Sequence, residues 1–224
     1  MRTILVTGGN RGLGLETCRQ LGDGGDTILL TSRDESGLEA ARGLVAAGLD
    51  VQHRVLDVAD PESIAALARR LTEDGTRLDV LVNNAGIAMK GFDAEVARRT
   101  LQVNFFGAMH VTDALVHFVE PGGLVLMVTS GLGELACVAP KLHRTLLDPE
   151  LSRRTVLELM HGFVDQVASG THEAAGWPSS AYRVSKVGLN ALVRVLARDL
   201  SPRGIRVNAV CPGWVRTALG GSHA

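Results

Sequence analysis

The chain has 224 residues, 46% of them hydrophobic and 21% charged, with 23 basic against 24 acidic side chains and a net charge of −1. That length and balance suit one globular domain, spanning 1–224, with a large buried core. The cations are scattered rather than gathered into a basic stripe, no apolar run reaches the roughly 18 residues of a membrane span, and the first residues lead straight into a strand-like segment, so nucleic acid, membrane and a signal peptide are all expected to be absent.

Short β-branched runs alternate with helical stretches along the chain. Strands are expected at Thr3–Thr7, Thr27–Thr31, Val51–Asp57, Val80–Asn83, Leu124–Thr129 and Ile205–Val210, read as compact apolar runs rather than alternating ones, as strands buried on both faces are. Helices are expected at Gly14–Gly22, Ser36–Ala47, Pro61–Glu73, Ala94–Val119 and Ser179–Leu200, with Asp60-Pro61-Glu62 supplying a cap, a proline and an acid in the order a helix start favours. This β-α-β-α order predicts an α/β fold, a doubly wound parallel sheet flanked by helices. The cysteines Cys18, Cys137 and Cys211 are isolated and form no C-x-x-C pair, so no disulfide framework and no metal site is expected; they read as buried, inert thiols in a reducing cytoplasm.

The first strand runs into Thr7-Gly8-Gly9-Asn10-Arg11-Gly12-Leu13-Gly14. Glycines at a first βα turn let backbone N–H groups approach a pyrophosphate at the positive end of the following helix. At the end of the second strand, where an NAD site usually carries an acid for the ribose 2′-OH, stand Ser32 and Arg33. Arg33, with Arg11 in reach, can pair with a 2′-phosphate, and a discrimination of about 3 kcal/mol would amount to ~100-fold in affinity. Asp34 would oppose that phosphate if turned inward; it is read instead as the start of the turn into the next helix. Asp57-Val58 ends the third strand near the expected adenine, and Asn83-Asn84-Ala85-Gly86 ends the fourth, where Asn84 is the likelier of the two amides to tie loops together.

Tyr182 and Lys186 are four residues apart on one expected helix and share a face. A nearby ammonium is expected to lower the phenol's pKa and make it a better general acid. It is the only tyrosine in the chain. Ser130, at the carboxyl end of the fifth strand, can donate to a carbonyl oxygen that gains charge. Asn104, polar inside an apolar helix, needs a partner, which is expected to be a water or Lys186.

Taken together, Thr7-Gly8 with Gly12 and Gly14, Asn83-Asn84-Ala85-Gly86, Asn104, Ser130, Tyr182 with Lys186, and Pro212-Gly213 resemble the short-chain dehydrogenase/reductase family along nearly the whole chain. Three stretches resemble its monomeric carbonyl reductases and their menthone-reductase-like relatives: 81–88, Gly176-Trp177-Pro178-Ser179-Ser180-Ala181-Tyr182, and Cys211-Pro212-Gly213-Trp214-Val215-Arg216-Thr217. The resemblance implies a Rossmann-type fold and reduction of a ketone, aldehyde or quinone by NADPH, with NADH the poorer cofactor. It implies a catalytic set of Asn104, Ser130, Tyr182 and Lys186, in which Tyr182 donates the proton, Lys186 also binds the nicotinamide ribose and Asn104 anchors a water. The cofactor contacts it implies are Gly8, Asn10, Arg11, Gly12, Leu13, Gly14, Arg33, Asp57, Val58, Asn83, Ala85, Gly86, Tyr182, Lys186, Pro212, Gly213 and Val215. Trp214 and Met89, with Ser130 and Tyr182, would face an apolar substrate.

Ser130 and Tyr182 lie 52 positions apart, which implies a helical insertion over about 135–176, within which a helix is expected to start near Asp148-Pro149-Glu150 and continue through Val156, Met160 and Phe163. The carbonyl reductases carry a similar insertion over the surface that other members use to oligomerise, so a monomer is expected. Relatives continue beyond Pro-Gly through another helix and a final edge strand that is missing from this sequence; 205–210 is then expected to form an open edge, at which association is a hazard. Two other readings remain: alcohol oxidation by the same residues, and an NADPH-binding redox sensor or scaffold without turnover.

Overall fold

The structure is a computed structural model that describes residues 1–215; Arg216 and Thr217 of the last motif lie outside the described residues. Six strands, β1 (Thr3–Val6), β2 (Thr27–Ser32), β3 (Val51–Val55), β4 (Leu78–Asn83), β5 (Val119–Val128) and β6 (Arg206–Val210), form one sheet in the order β3-β2-β1-β4-β5-β6, with every pairing parallel. The doubly wound α/β fold is therefore as expected. Val6 of β1 sits between Leu30 of β2 and Val82 of β4, and all three are buried, which is why the centres of these strands are apolar. The order reverses between β1 and β4, the place where the carboxyl ends of such a sheet part to form a crevice.

Helices α1 (Gly12–Asp23), α2 (Ser36–Ala46) and α3 (Pro61–Glu73) follow the expected ranges, and Asp60 caps α3 by accepting from the Glu62 N–H at 3.0 Å. The single helix expected over 94–119 is instead α4 (Ala94–Leu101), a π turn (Gln102–Gly107), α5 (Ala108–Leu115) and a short 3-10 turn, with Val119 already in β5. The π turn brings Gly107 so close to the loop after β3 that a Cβ there would lie 2.8 Å from the Val58 carbonyl oxygen.

Residues 140–175 form α6 (Pro140–Leu146), α7 (Arg153–Ala168) and the single turn α8 (His172–Ala175). The helix expected to begin at Asp148 begins at Arg153, capped by Ser152, whose hydroxyl accepts from the Thr155 N–H at 3.1 Å. Residues 146–151 are held out of the helix because Arg194 and Arg198 donate to the carbonyls of Leu146, Leu147, Asp148, Pro149 and Leu151. Those arginines belong to α9 (Ala181–Leu200), which packs against α4 and α7 and is buried along most of its length. Gly188 lets α7 approach closely: a Cβ there would overlap Met160 Sδ at 2.3 Å. No helix among the described residues is long and apolar enough to cross a membrane.

Candidate active site

The glycine loop is shaped by backbone geometry and close approach together. Gly8 and Gly12 have φ of 64° and 53°, the left-handed region where a side chain is strained. Gly14 is pressed against the opposite limb of the turn, where a Cβ would sit 2.3 Å from the Gly8 carbonyl oxygen and 2.5 Å from Asn84 Nδ2. Asn84 is the staple: its Nδ2 donates to the carbonyls of Thr7 (2.8 Å) and Gly8 (3.2 Å), while Thr7 Oγ1 accepts from the Asn84 and Ala85 N–H groups, each at 2.9 Å. The ends of β1 and β4 are thus tied across the point where the sheet order reverses. No side chain caps the N-terminus of α1, whose cap position is Arg11. Its first N–H groups face the loop, and anions bind well at such an end.

Beside this loop, Asp34 turns to the start of α2 as expected. Its Oδ1 accepts from both the N–H and the hydroxyl of Ser36, and Asn10 Nδ2 donates to Ser36 Oγ at 2.7 Å. The Arg33 guanidinium stays 3.6 Å from Asp34 Oδ2 with 68% of its side chain exposed. Asp57 Oδ1 accepts from the Ala59 N–H at 2.9 Å, and Val58 is buried beneath the π turn. Asn83 points away from the crevice: it is buried, and its Nδ2 donates to Thr112 Oγ1 of α5 at 3.0 Å. Its backbone ends β4, and Ala85 and Gly86 follow at the carboxyl edge of the sheet.

At the ends of β5 and β6 the catalytic candidates converge. Lys186 is buried, and its Nζ donates to the carbonyl of Val128, the last residue of β5, at 2.8 Å. The same nitrogen lies 5.6 Å from the centroid of the half-buried Tyr182 ring. Burial pushes the Lys186 pKa down to about 8. Burial also pushes the Tyr182 phenol above its usual value, with a hydrogen bond from Ser130 pulling the other way and the Cys211 thiol adding to the rise. This corrects the expectation that Lys186 would lower the phenol: Tyr182 is buried deeply enough that desolvation of the phenolate outweighs the help it receives. Ser130 Oγ accepts from the Leu132 N–H at 3.2 Å, which leaves the hydroxyl hydrogen to donate. Gly133 is packed so tightly on Lys186 that a Cβ would lie 2.6 Å from the lysine Cβ and 2.7 Å from its carbonyl carbon.

Asn104 sits in the π turn, fully buried. Its Nδ2 donates to the Ile87 carbonyl (2.9 Å) and to Ser185 Oγ (3.1 Å), and its Oδ1 accepts from the Ile87 N–H at 2.8 Å. Ser185 in turn donates to the Tyr182 carbonyl at 2.7 Å. Asn104 therefore connects the loop after β4 to the Tyr182 helix, whereas the sequence pointed to Lys186 or a water. Ile87, Ser185 and Thr7 were not anticipated; a serine between Tyr182 and Lys186 on the buried face of a helix is the one signal that could have pointed to Ser185. Met89 packs against the core, and its neighbour Phe92 lies 4.9 Å from the His172 ring. Pro212, Gly213 (φ 76°), Trp214 and Val215 follow β6, with Trp214 69% exposed. Of the three cysteines, Cys18 is buried as expected, Cys137 is half-buried, and Cys211 is exposed with its sulfur accepting from the Gly131 N–H at 3.0 Å, so it bridges the ends of β5 and β6.

Comparison with known proteins gives this geometry a family. Residues 2–139 match the family model described as short chain dehydrogenase, and residues 157–224 match one described as Enoyl-(Acyl carrier protein) reductase. Carbonyl reductase [NADPH] 1 of Homo sapiens is 40% identical over 240 aligned residues, covering 100% of this chain and 85% of the relative. Among solved structures, salutaridine reductase from Papaver somniferum superposes with a TM-score of 0.91 at 29% identity, covering 98% of this chain and 89% of that one. Menthone neomenthol reductase from Mentha piperita gives 0.86 at 30% identity, covering 94% and 89%. The chain belongs to the short-chain dehydrogenase/reductase family of oxidoreductases.

Proposed function

We propose that this enzyme uses NADPH to reduce the carbonyl of a ketone, aldehyde or quinone to an alcohol, with Tyr182 as the general acid. The observation that carries the reading is the convergence of Ser130, Tyr182 and Lys186 at the carboxyl end of β5, on the same edge of the parallel sheet as the glycine loop that follows β1. The residues present fit the cofactor: positive-φ glycines, a close approach at Gly14 that admits no Cβ, an uncapped helix start, and an exposed Arg33 where a 2′-phosphate would lie. Relatives named carbonyl reductase [NADPH] support the same cofactor and reaction class.

When bound, NADPH supplies a hydride to the carbonyl carbon. The chain's own residues manage the oxygen. Ser130 donates a hydrogen bond to it, and Tyr182, whose raised pKa keeps the phenol protonated at neutral pH, gives it a proton. Lys186, fixed by the Val128 carbonyl, holds a positive charge beside the ring and stabilises the phenolate that remains. Asn104 acts by position, keeping the Ile87 loop and the Tyr182 helix in register. We read Met89 and Trp214 as the residues that meet an apolar substrate. We further read residues 135–176 as an insertion within a single domain of 1–224. Its helix α7 packs on α4 and α9 and is joined to α5 by the Arg153–Asp113 ion pair, which supports a monomer. The three unpaired thiols suit a cytoplasmic setting.

The test is oxidation of NADPH and of NADH by the purified protein against quinones, diketones and cyclic ketones. Turnover that prefers NADPH and is lost in Tyr182→Phe supports the proposal. NADPH binding without turnover on any of the three classes refutes it and favours a sensor.

A further inference from the structure

Arg33 is an exposed side chain on a short turn, and its ionic contact is a long, solvent-exposed pair with Asp34 at 3.6 Å, which holds it weakly. The backbone on either side, by contrast, is fixed from below. Ser32 is buried, and its hydroxyl donates to the Asp34 carbonyl at 2.6 Å, closing a loop around Arg33. With its hydrogen committed there, Ser32 Oγ can only accept from His53 Nε2, 2.9 Å away on the neighbouring strand β3. The imidazole therefore carries its proton on Nε2. Burial, and secondarily Arg54, hold the His53 pKa below the usual histidine range against a smaller opposing effect of Asp34; the Nε2–H donor this bond uses is present in the neutral tautomer and in the charged ring alike. The first turn of α2 presses on the pair from the other side: a Cβ on Gly37 would lie 2.0 Å from Ser32 Oγ and 2.5 Å from His53 Nε2. Meanwhile Ser36 holds Asp34 Oδ1 through its N–H and hydroxyl, which leaves Oδ2 to form only a long, exposed ion pair with the Arg33 guanidinium. The turn thus presents the cation to solvent with one oxygen of the adjacent anion already engaged.

We propose that Ser32 and His53 are positioning residues for cofactor choice: their buried hydrogen bond fixes the turn that presents Arg33, and so favours a 2′-phosphorylated adenosine over an unphosphorylated one. This rests on the reading that Arg33 meets the 2′-phosphate. Neither side chain needs to touch the nucleotide. A phosphate held by a flexible guanidinium is bound less tightly than one held by an ordered fork, because ordering the side chain opposes binding.

The experiment measures binding of 2′,5′-ADP and of 5′-AMP to the full chain by calorimetry, which needs neither substrate nor turnover. Ser32→Ala and His53→Phe should each weaken 2′,5′-ADP about fivefold, the scale of one neutral hydrogen bond, and leave 5′-AMP within about twofold. His53→Gln, which keeps an N–H at a similar reach, should restore 2′,5′-ADP binding to within about twofold of the parent. Arg33→Ala should weaken 2′,5′-ADP about tenfold or more, with 5′-AMP unchanged. Three results overturn the positioning role while leaving Arg33 in place: equal weakening of both nucleotides, no weakening in Ser32→Ala and His53→Phe, or His53→Gln behaving like His53→Phe. If Arg33→Ala itself fails to separate the two nucleotides, the 2′-phosphate reading fails at its root.

Discussion

Replacing Asn104 with leucine tests whether the π turn is held by its side chain. Leucine has a similar branched shape and no polar atoms, so the change removes hydrogen bonds with little change of volume. Three are lost: from the Ile87 N–H, to the Ile87 carbonyl and to Ser185 Oγ. Ser185 keeps its bond to the Tyr182 carbonyl, so its loss is the smallest. The two Ile87 groups lie in a half-buried loop and are left with no side-chain partner. At about 1 kcal/mol for each of the three neutral bonds, the total is about 3 kcal/mol. In a domain of this size that corresponds to about 6–12 °C in melting temperature. Differential scanning fluorimetry reads the shift, and urea unfolding reads the free energy. Asn104→Asp is the informative companion: a carboxylate can still accept from the Ile87 N–H, but it cannot donate to the carbonyl and brings a charge into a buried position, so it should be at least as damaging as leucine. A loss under about 1 kcal/mol in Asn104→Leu would mean that water replaces the amide without penalty, and the idea that this side chain couples the loop to the catalytic helix would have to be dropped.

Other outcomes follow from the same geometry. Tyr182→Phe should lower kcat by a factor of about 10²–10⁴ while leaving NADPH affinity within about twofold; undiminished turnover would remove Tyr182 from the chemistry. Lys186 has a folded pKa of about 8 against an ordinary 10.5. Between these values the unfolded chain binds the extra proton, so its contribution to stability should rise with pH across that window, by up to about 3 kcal/mol. Lys186→Met, compared with the parent in urea titrations from pH 7 to 10.5, should abolish that rise, and parallel curves would contradict it. Gly133→Ala should destabilise by about 2–3 kcal/mol, because the new methyl meets Lys186 backbone that cannot move without shifting the ammonium; Gly188→Ala, which meets the bendable end of Met160, should be milder, and the reverse ranking would refute the steric argument.

The inner strands were readable because strands buried on both faces are mostly apolar, and each of the six expected runs lies in or beside a strand; the edge strands β3 and β6 mix polar and exposed residues with apolar ones. Tyr182, Lys186 and Ser130 were readable from spacing and from position at strand ends. The Asn104 site was harder. Helical periodicity continues through 102–107, and the extra residue of the π turn leaves no mark in an apolar run; only the third dimension, with Ile87 on one side and Ser185 on the other, explains why the register slips there. Asp148-Pro149 misled for a related reason. The local pattern favours a helix start, but five carbonyls in 146–151 are occupied by Arg194 and Arg198, which lie almost fifty residues downstream. The phenol's raised pKa was equally invisible, since spacing tells that a lysine is near but not how much water both groups have lost.

The parallel sheet also imposes a timetable. β1 pairs only with strands that follow within about eighty residues, Ile28 and Val80 being the partners of Ile4, whereas Leu124 of β5 waits for Arg206. A chain emerging from the ribosome can therefore assemble β1 to β5 with the glycine loop and its Asn84 staple before α9 has been synthesised. The glycine loop and its staple belong to the first half of the sequence and Tyr182 to the last quarter, so a chain made only part-way would hold the residues of the loop without the helix that carries Tyr182.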